Sequence, residues 1–260
     1  MSQLKYDVAL LRDFKNLNNK DKLELLERLN TLTLLTPAVA NTKTAKNDGE
    51  KYLSYIMHLA PSDVSGFDVC PKASQGCRAA CLNTSGRGRF ESTQLARIRK
   101  TLFFIHYRQE FLTKLNKEIG RAQRKAEKLG KTCVVRLNGT SDIAWETIKL
   151  ESSNKSVIEL NPNVQFYDYT KRHERLKRVN MPSNYDLTFS MAEDNSESAL
   201  AALDCGYRVA VVFKTIPSEY LGIKCINGDN TDLRFLDPKQ CFVGLNAKGK
   251  AKQDESGFVK

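Results

Sequence analysis

Apolar residues recur along this chain in two rhythms. In the first half the spacing is three and four. Val8, Leu10, Leu11, Leu23, Leu25, Leu26, Leu29, Leu32 and Leu35 mark helical faces over residues 7–36, broken by the polar segment 16–20. The stretch 37–50, PAVANTKTAKNDGE, is small and polar and reads as an exposed loop or linker. LSYIMHL (53–59) is a short apolar run that predicts a buried strand, ended by Pro61. The helical rhythm then returns and predicts one long helix over 91–129. Leu95, Ile98, Leu102 and Ile105 lead into Leu112, Leu115, Ile119, Ala122, Ala126 and Leu129, with Gly130 as the stop.

The second half changes to short apolar runs. CVVRLN (133–138), VQFYDYT (164–170), YDLTFSM (185–191), YRVAVVF (207–213), GIKCIN (222–227) and FVGLN (242–246) predict strands, and 195–204 predicts a short helix between two of them. Strands separated by crossovers predict an α/β fold with a parallel sheet. No glycine-rich dinucleotide fingerprint follows the first strand, which disfavours a doubly wound sheet. The expectation is a TIM-like (β/α) barrel, incomplete or irregular. Residues 1–50 form its N-terminal helical extension and linker, and residues 51–260 form the barrel, with a metal-cluster loop at 70–81.

At 260 residues the chain can bury a sizeable core without staples. No apolar run approaches the ~20 residues that span a bilayer. Residues 1–20 lack the continuous apolar core of a signal peptide. No membrane partner and a cytoplasmic location are expected. The net charge of +11 is concentrated: residues 78–131 hold fourteen Lys and Arg against four Glu. Such a segment suits a phosphate polyanion, and equally a solvated helix surface.

The seven cysteines are odd in number and lack an export context, so a disulfide framework is not expected. Cys133, Cys205, Cys225 and Cys241 are scattered and read as small hydrophobes. Cys70, Cys77 and Cys81 are different. They fall within CPKASQGCRAAC, spaced C-x6-C-x3-C directly after the first strand. Thiolates are soft ligands suited to zinc and to iron–sulfur clusters. A structural zinc site needs four protein ligands, and the fourth here would be remote, such as His58, His106 or another Cys. A [4Fe–4S] cluster can rest on three thiolates and leave its fourth iron to a remote group or a small molecule. Iron–sulfur is the favoured reading, with zinc and no metal as the alternatives. The spacing is not the C-x3-C-x2-C of most radical S-adenosylmethionine enzymes, although the placement after the first barrel strand is similar to theirs.

Several strands run directly into polar groups. In a barrel these converge on one face beside the metal loop. Asn138, Asp142, Asp168, Lys171, Asp229 and Arg234 are the candidate ligand-binding residues, for a small polar or phosphorylated molecule. Asp229 and Asp232 admit a weak hard-metal reading. SGRGR (85–89) admits a phosphate reading or a flexible loop. His173, in the charged run KRHER, reads as solvent-facing.

Taken in order, CPKASQGCRAACLNTSGRGR, RLNGTSDIAWE, FYDYTK, LTFSMAE, VAVVFK, NGDNTDLRFLD and GLNAKGKA resemble the gene product 88-like proteins, an uncharacterised bacteriophage family. The resemblance runs from about Leu53 to the C-terminus. It implies a phage-encoded protein in the cytoplasm of a bacterial host, with an iron–sulfur centre on Cys70, Cys77 and Cys81. It implies a barrel related to radical S-adenosylmethionine enzymes, with S-adenosylmethionine only a candidate ligand of the open iron. It supplies no reaction. Two functions remain open. One is an iron–sulfur protein with a redox or radical-type activity. The other is a basic nucleic-acid-binding or virion-associated phage protein, with contacts through 78–131 and a structural cluster or zinc.

Overall fold

The structure, a computed structural model, describes residues 2–37 and 51–260. The expected linker therefore lies, beyond Pro37, outside the described residues. Helices α1 (Gln3–Arg12) and α2 (Asn19–Asn30) begin where the sequence provides caps. Ser2 accepts from the Lys5 N–H, and Asn18 accepts from the Asp21 N–H. Their apolar faces, through Val8, Leu11, Leu25 and Leu29, enter the same core as the sheet. Buried Asp7 fixes them by ion pairs to Arg28 and to Arg99 of a later helix.

Strand β1 (Thr36–Pro37) pairs antiparallel with β2 (Tyr52–Ile56). After β2 come two short helices, α3 (Ser62–Ser65) and α4 (Gln75–Ala79), then α5 (Glu91–His106) and α6 (Arg108–Lys128). The single helix predicted over 91–129 is thus two. Tyr107, at φ −132° and ψ 60°, breaks it. Apolar periodicity carries through such a one-residue break and cannot reveal it. Packing supplies the reason: Phe104 and Phe111, on either side of the bend, both meet the Trp145 indole, at 5.1 and 6.3 Å. Gly130 ends α6 with a left-handed φ of 66°.

The remaining strands are β3 (Thr132–Arg136), β4 (Lys149–Leu150), β5 (Lys155–Ser156), β6 (Gln165–Thr170), β7 (Tyr185–Ser190), β8 (Val209–Phe213), β9 (Glu219–Tyr220), β10 (Ile223–Asn227) and β11 (Phe242–Asn246). Helices α7 (His173–Leu176) and α8 (Ser196–Asp204) lie in two of the crossovers. All six predicted strands of the second half are present. The main sheet has the order β1-β2-β3-β6-β7-β8-β11-β10-β9 and is parallel except at its two ends. Strand β11 inserts between β8 and β10, so the last two crossovers leave simple sequential order.

The ladder has two ends, at β1 and β9, and closure into a barrel is not part of the hydrogen-bonded pattern among the described residues. Both faces are covered, as continuous apolar strands require. Cys133 and Val135 face the core shared with α5 and α6. Val134 and Tyr167 on the other face pack against Leu233 and Phe235, from the segment after β10.

Candidate functional site

The chain after β2 is tied into a tight loop before it reaches the first cysteine. Gly66, at φ 81°, ends α3, and Asp68 accepts from the Cys70 N–H at 2.9 Å. Arg78 donates back to Ala73 O and to the Ser62 hydroxyl. Ser74 caps α4 by accepting from the Cys77 N–H. The three-residue gap then places Cys77 and Cys81 about one helical turn apart.

Glu193, after β7, anchors this loop from across the sheet. It accepts from the Ser74 hydroxyl and from the Gly76 N–H, both at 2.7 Å. Gly76 is obligatory here, because an added Cβ would lie 2.0 Å from Ser256 Oγ and 2.8 Å from Phe258 Cβ. Those two residues belong to the C-terminal strap. Its end is bound to β8 through the Lys260 N–H on Val212 O.

Cys70, Cys77 and Cys81 line one cavity of about 210 Å³, many times the ~10–15 Å³ that one water occupies. Its wall is made of the cysteine loop after β2, the C-terminal ends of β3, β6, β7, β8 and β11 with loops that follow them, and Phe258 of the strap. Short side chains (Ala73, Ala80, Gly139 and Ala251) leave the space open. The three thiols are free. Among the described residues, no three His, Cys, Asp or Glu side chains stand close enough to hold a single metal ion. The thiols border a space rather than converge on a point.

Burial pushes the Cys70 thiol up to about 12, helped by Asp142 and by the other two cysteines. Burial also raises Cys81, opposed by the Asn83 N–H directed at its sulfur. Both are therefore protonated at neutral pH, and a metal that takes them must displace those protons. None of the three histidines lines the cavity. His58 lies behind Gly139, His106 stacks on Phe14 at 4.4 Å, and His173 stands edge-on to Phe189. The outlying cysteines do not line it either: Cys133, Cys225 and Cys241 are buried elsewhere and Cys205 is exposed. The donor set fits a group that wants three soft thiolates from protein and leaves a fourth position to a small molecule.

Of the candidate ligand-binding residues, Asn138, Asp142 and Lys171 line the cavity, and Asp168, Asp229 and Arg234 do not. Asn138 builds the wall. Its Oδ1 accepts from Ser141, the Ile143 N–H and the Trp145 indole, and its Nδ2 donates to Ile143 O and Asp168. Asp168 accepts from the Asn138 N–H and the Tyr185 hydroxyl, and burial raises its carboxyl to about 7. Asp142 accepts from the Lys171 N–H at 2.9 Å, and its other oxygen pairs with Arg175. Lys171 donates to the Ser190 hydroxyl at 2.9 Å. Asp229 lies behind the wall and holds Lys248 and Asn246, which do line it. Arg234 is fully buried and pairs with Asp237 at 3.1 Å. Asp229 and Asp232 point to separate partners, since Asp232 takes Arg136 and Tyr167. They form no common cation site.

Sequence reasoning missed the group that fixes this wall. Arg175 is wholly buried, forms two hydrogen bonds to Glu146, and reaches Asp142 and the Tyr185 hydroxyl. It sits in KRHER, a charged run that reads as solvated, and nothing local marks it. Three cations of the basic segment turn inward as well. Arg97 donates to Asn83, Arg99 pairs with Asp7, and Lys100 donates to Leu34 O. Lys117, Arg121 and Arg124 on α6 instead line a polar cleft with Asn116 and Asn161. Among the described residues no helix is long and apolar enough to cross a membrane.

No curated protein and no solved structure matches the chain. A family match covers residues 31–260, which include the cysteine loop, every wall of the cavity and the C-terminal strap. The chain therefore belongs to the phage-type family described as Gene product 88.

Proposed function

We propose that Cys70, Cys77 and Cys81 hold a [4Fe–4S] cluster whose fourth iron faces a small polar ligand. One observation carries this reading: the three thiols line the same cavity as Asn138, Asp142 and Lys171, at the C-terminal ends of the strands. Such a cluster supplies one-electron chemistry and a coordination position at iron. The protein residues supply the rest. The Cys loop is held by Glu193 and Asp68, the wall by Asn138 and Arg175, and a cation by Lys171. In this reading the sheet is an irregular barrel, drawn together by side chains rather than by ladder bonds. Arg136 of β3 and Tyr167 of β6 both reach Asp232, after β10, which supports it.

Electron paramagnetic resonance of protein reduced without oxygen tests the proposal. A reduced-cluster signal is expected, absent in Cys77→Ala and altered by cyanide or S-adenosylmethionine at the open iron. A protein with no cluster signal sinks the reading. A signal that no added ligand alters leaves only a structural cluster.

A second reading, a nucleic-acid-binding phage protein, is favoured by the α6 cleft. Lys117, Arg121 and Arg124 have no acidic partner among the described residues. Its affinity would fall steeply with salt.

A further inference from the structure

We infer that the ligand of this cavity is a small anion, carrying a carboxylate or a phosphate. The inference rests on the cavity described above and refines the class of molecule it takes. The wall presents three cations, Arg136, Lys171 and Lys248. Its one carboxylate, Asp142, is engaged on both oxygens, by Arg175 and by the Lys171 N–H. The acids that accompany Arg136 and Lys248 are Asp232 and Asp229. Both lie off the wall, so positive charge faces the cavity and negative charge stands behind it.

One of these cations has unused capacity. The Lys171 ammonium donates only to the Ser190 hydroxyl, packs near the Phe258 ring, and pairs with no carboxylate among the described residues. Arg136 is held over the Tyr169 ring at 4.6 Å and is paired with Asp232, so it contributes charge to the wall rather than a free donor. An ammonium with no carboxylate partner finds its strongest acceptor in an anionic oxygen. Lys171, at the end of β6, is the cation left for the ligand, and Arg136 and Lys248 add positive charge to the same wall from within their ion pairs.

Calorimetric titration of the full-length protein, purified without oxygen, tests this with two probes, inorganic pyrophosphate and glutarate. One anion per chain is expected, and the preferred probe separates a phosphate ligand from a carboxylate. Lys171→Met and Arg136→Gln should each weaken binding about tenfold or more. Lys171→Arg should restore it, and Lys155→Met, exposed on β5, should leave it unchanged. Circular dichroism confirms that each variant is folded. Added salt should weaken binding further. The inference is overturned if neither anion binds, or if folded Lys171 and Arg136 variants bind as the parent does. Iron and sulfide assays on the same samples separate the two claims. An anion bound to iron-free protein keeps this inference and ends the cluster reading, and a loaded cluster with no anion bound does the reverse.

Discussion

Arg175 shows how much of this site depends on one side chain. Its guanidinium is fully buried and satisfies Asp142, Glu146 and Tyr185 together. Removing it leaves two carboxylates without their cation. Arg175→Met should lower unfolding stability by about 3–5 kcal/mol. Arg178→Met should stay within about 0.5 kcal/mol, since Arg178 is half-exposed and stands 3.9 Å from Glu146. Urea unfolding of both variants checks this, and equal losses would contradict the account. At this scale the sequence was legible where chemistry is carried by spacing. Three thiols in twelve residues announce themselves. Arg175, Arg136 and Glu193 do not, because their partners lie on other strands and only the fold brings them together.

The elements were legible wherever apolar rhythm decides them. The strands at β6, β7, β8, β10 and β11 fall within the predicted runs, β2 and β3 begin one residue before theirs, and α8 starts one residue inside its predicted helix. The break at Tyr107 and the short pairings at β1, β4, β5 and β9 left no periodic trace, because tertiary contacts make them. Helix α4 and the C-terminal strap approach closely at Gly76. An alanine at Gly76 would push Cβ to 2.8 Å from Phe258 Cβ, near the strap backbone, which cannot rotate aside. Gly76→Ala should therefore cost about 1–3 kcal/mol and speed carboxypeptidase removal of the strap. Gly120→Ala on α6 meets only the Arg124 guanidinium, at 3.5 Å. It should gain about 0.5–1 kcal/mol from helix propensity. Denaturation midpoints that move alike in the two variants would refute this packing argument.

Across the whole molecule, chemistry collects at one end of one sheet. The cysteine loop follows β2, the Asn138 loop follows β3, Lys171 follows β6, Ser190 ends β7, and Lys248 follows β11. Parallel strands deliver all of them to the same edge. That convergence was legible from the alternation of strands and crossovers. The insertion of β11 between β8 and β10 was not, because strand order is set by pairing across long sequence separations. The basic character of residues 78–131 also divides only in three dimensions, into cations that brace the core and cations on the α6 surface. The most direct test of the account is a count of iron, acid-labile sulfide and zinc in protein purified without oxygen. The account predicts about four irons and about four sulfides per chain, the composition of a [4Fe–4S] cluster. They should be lost in Cys70→Ala, Cys77→Ala and Cys81→Ala and kept in Cys205→Ala. One zinc per chain, no metal, or iron that survives all three substitutions would contradict it.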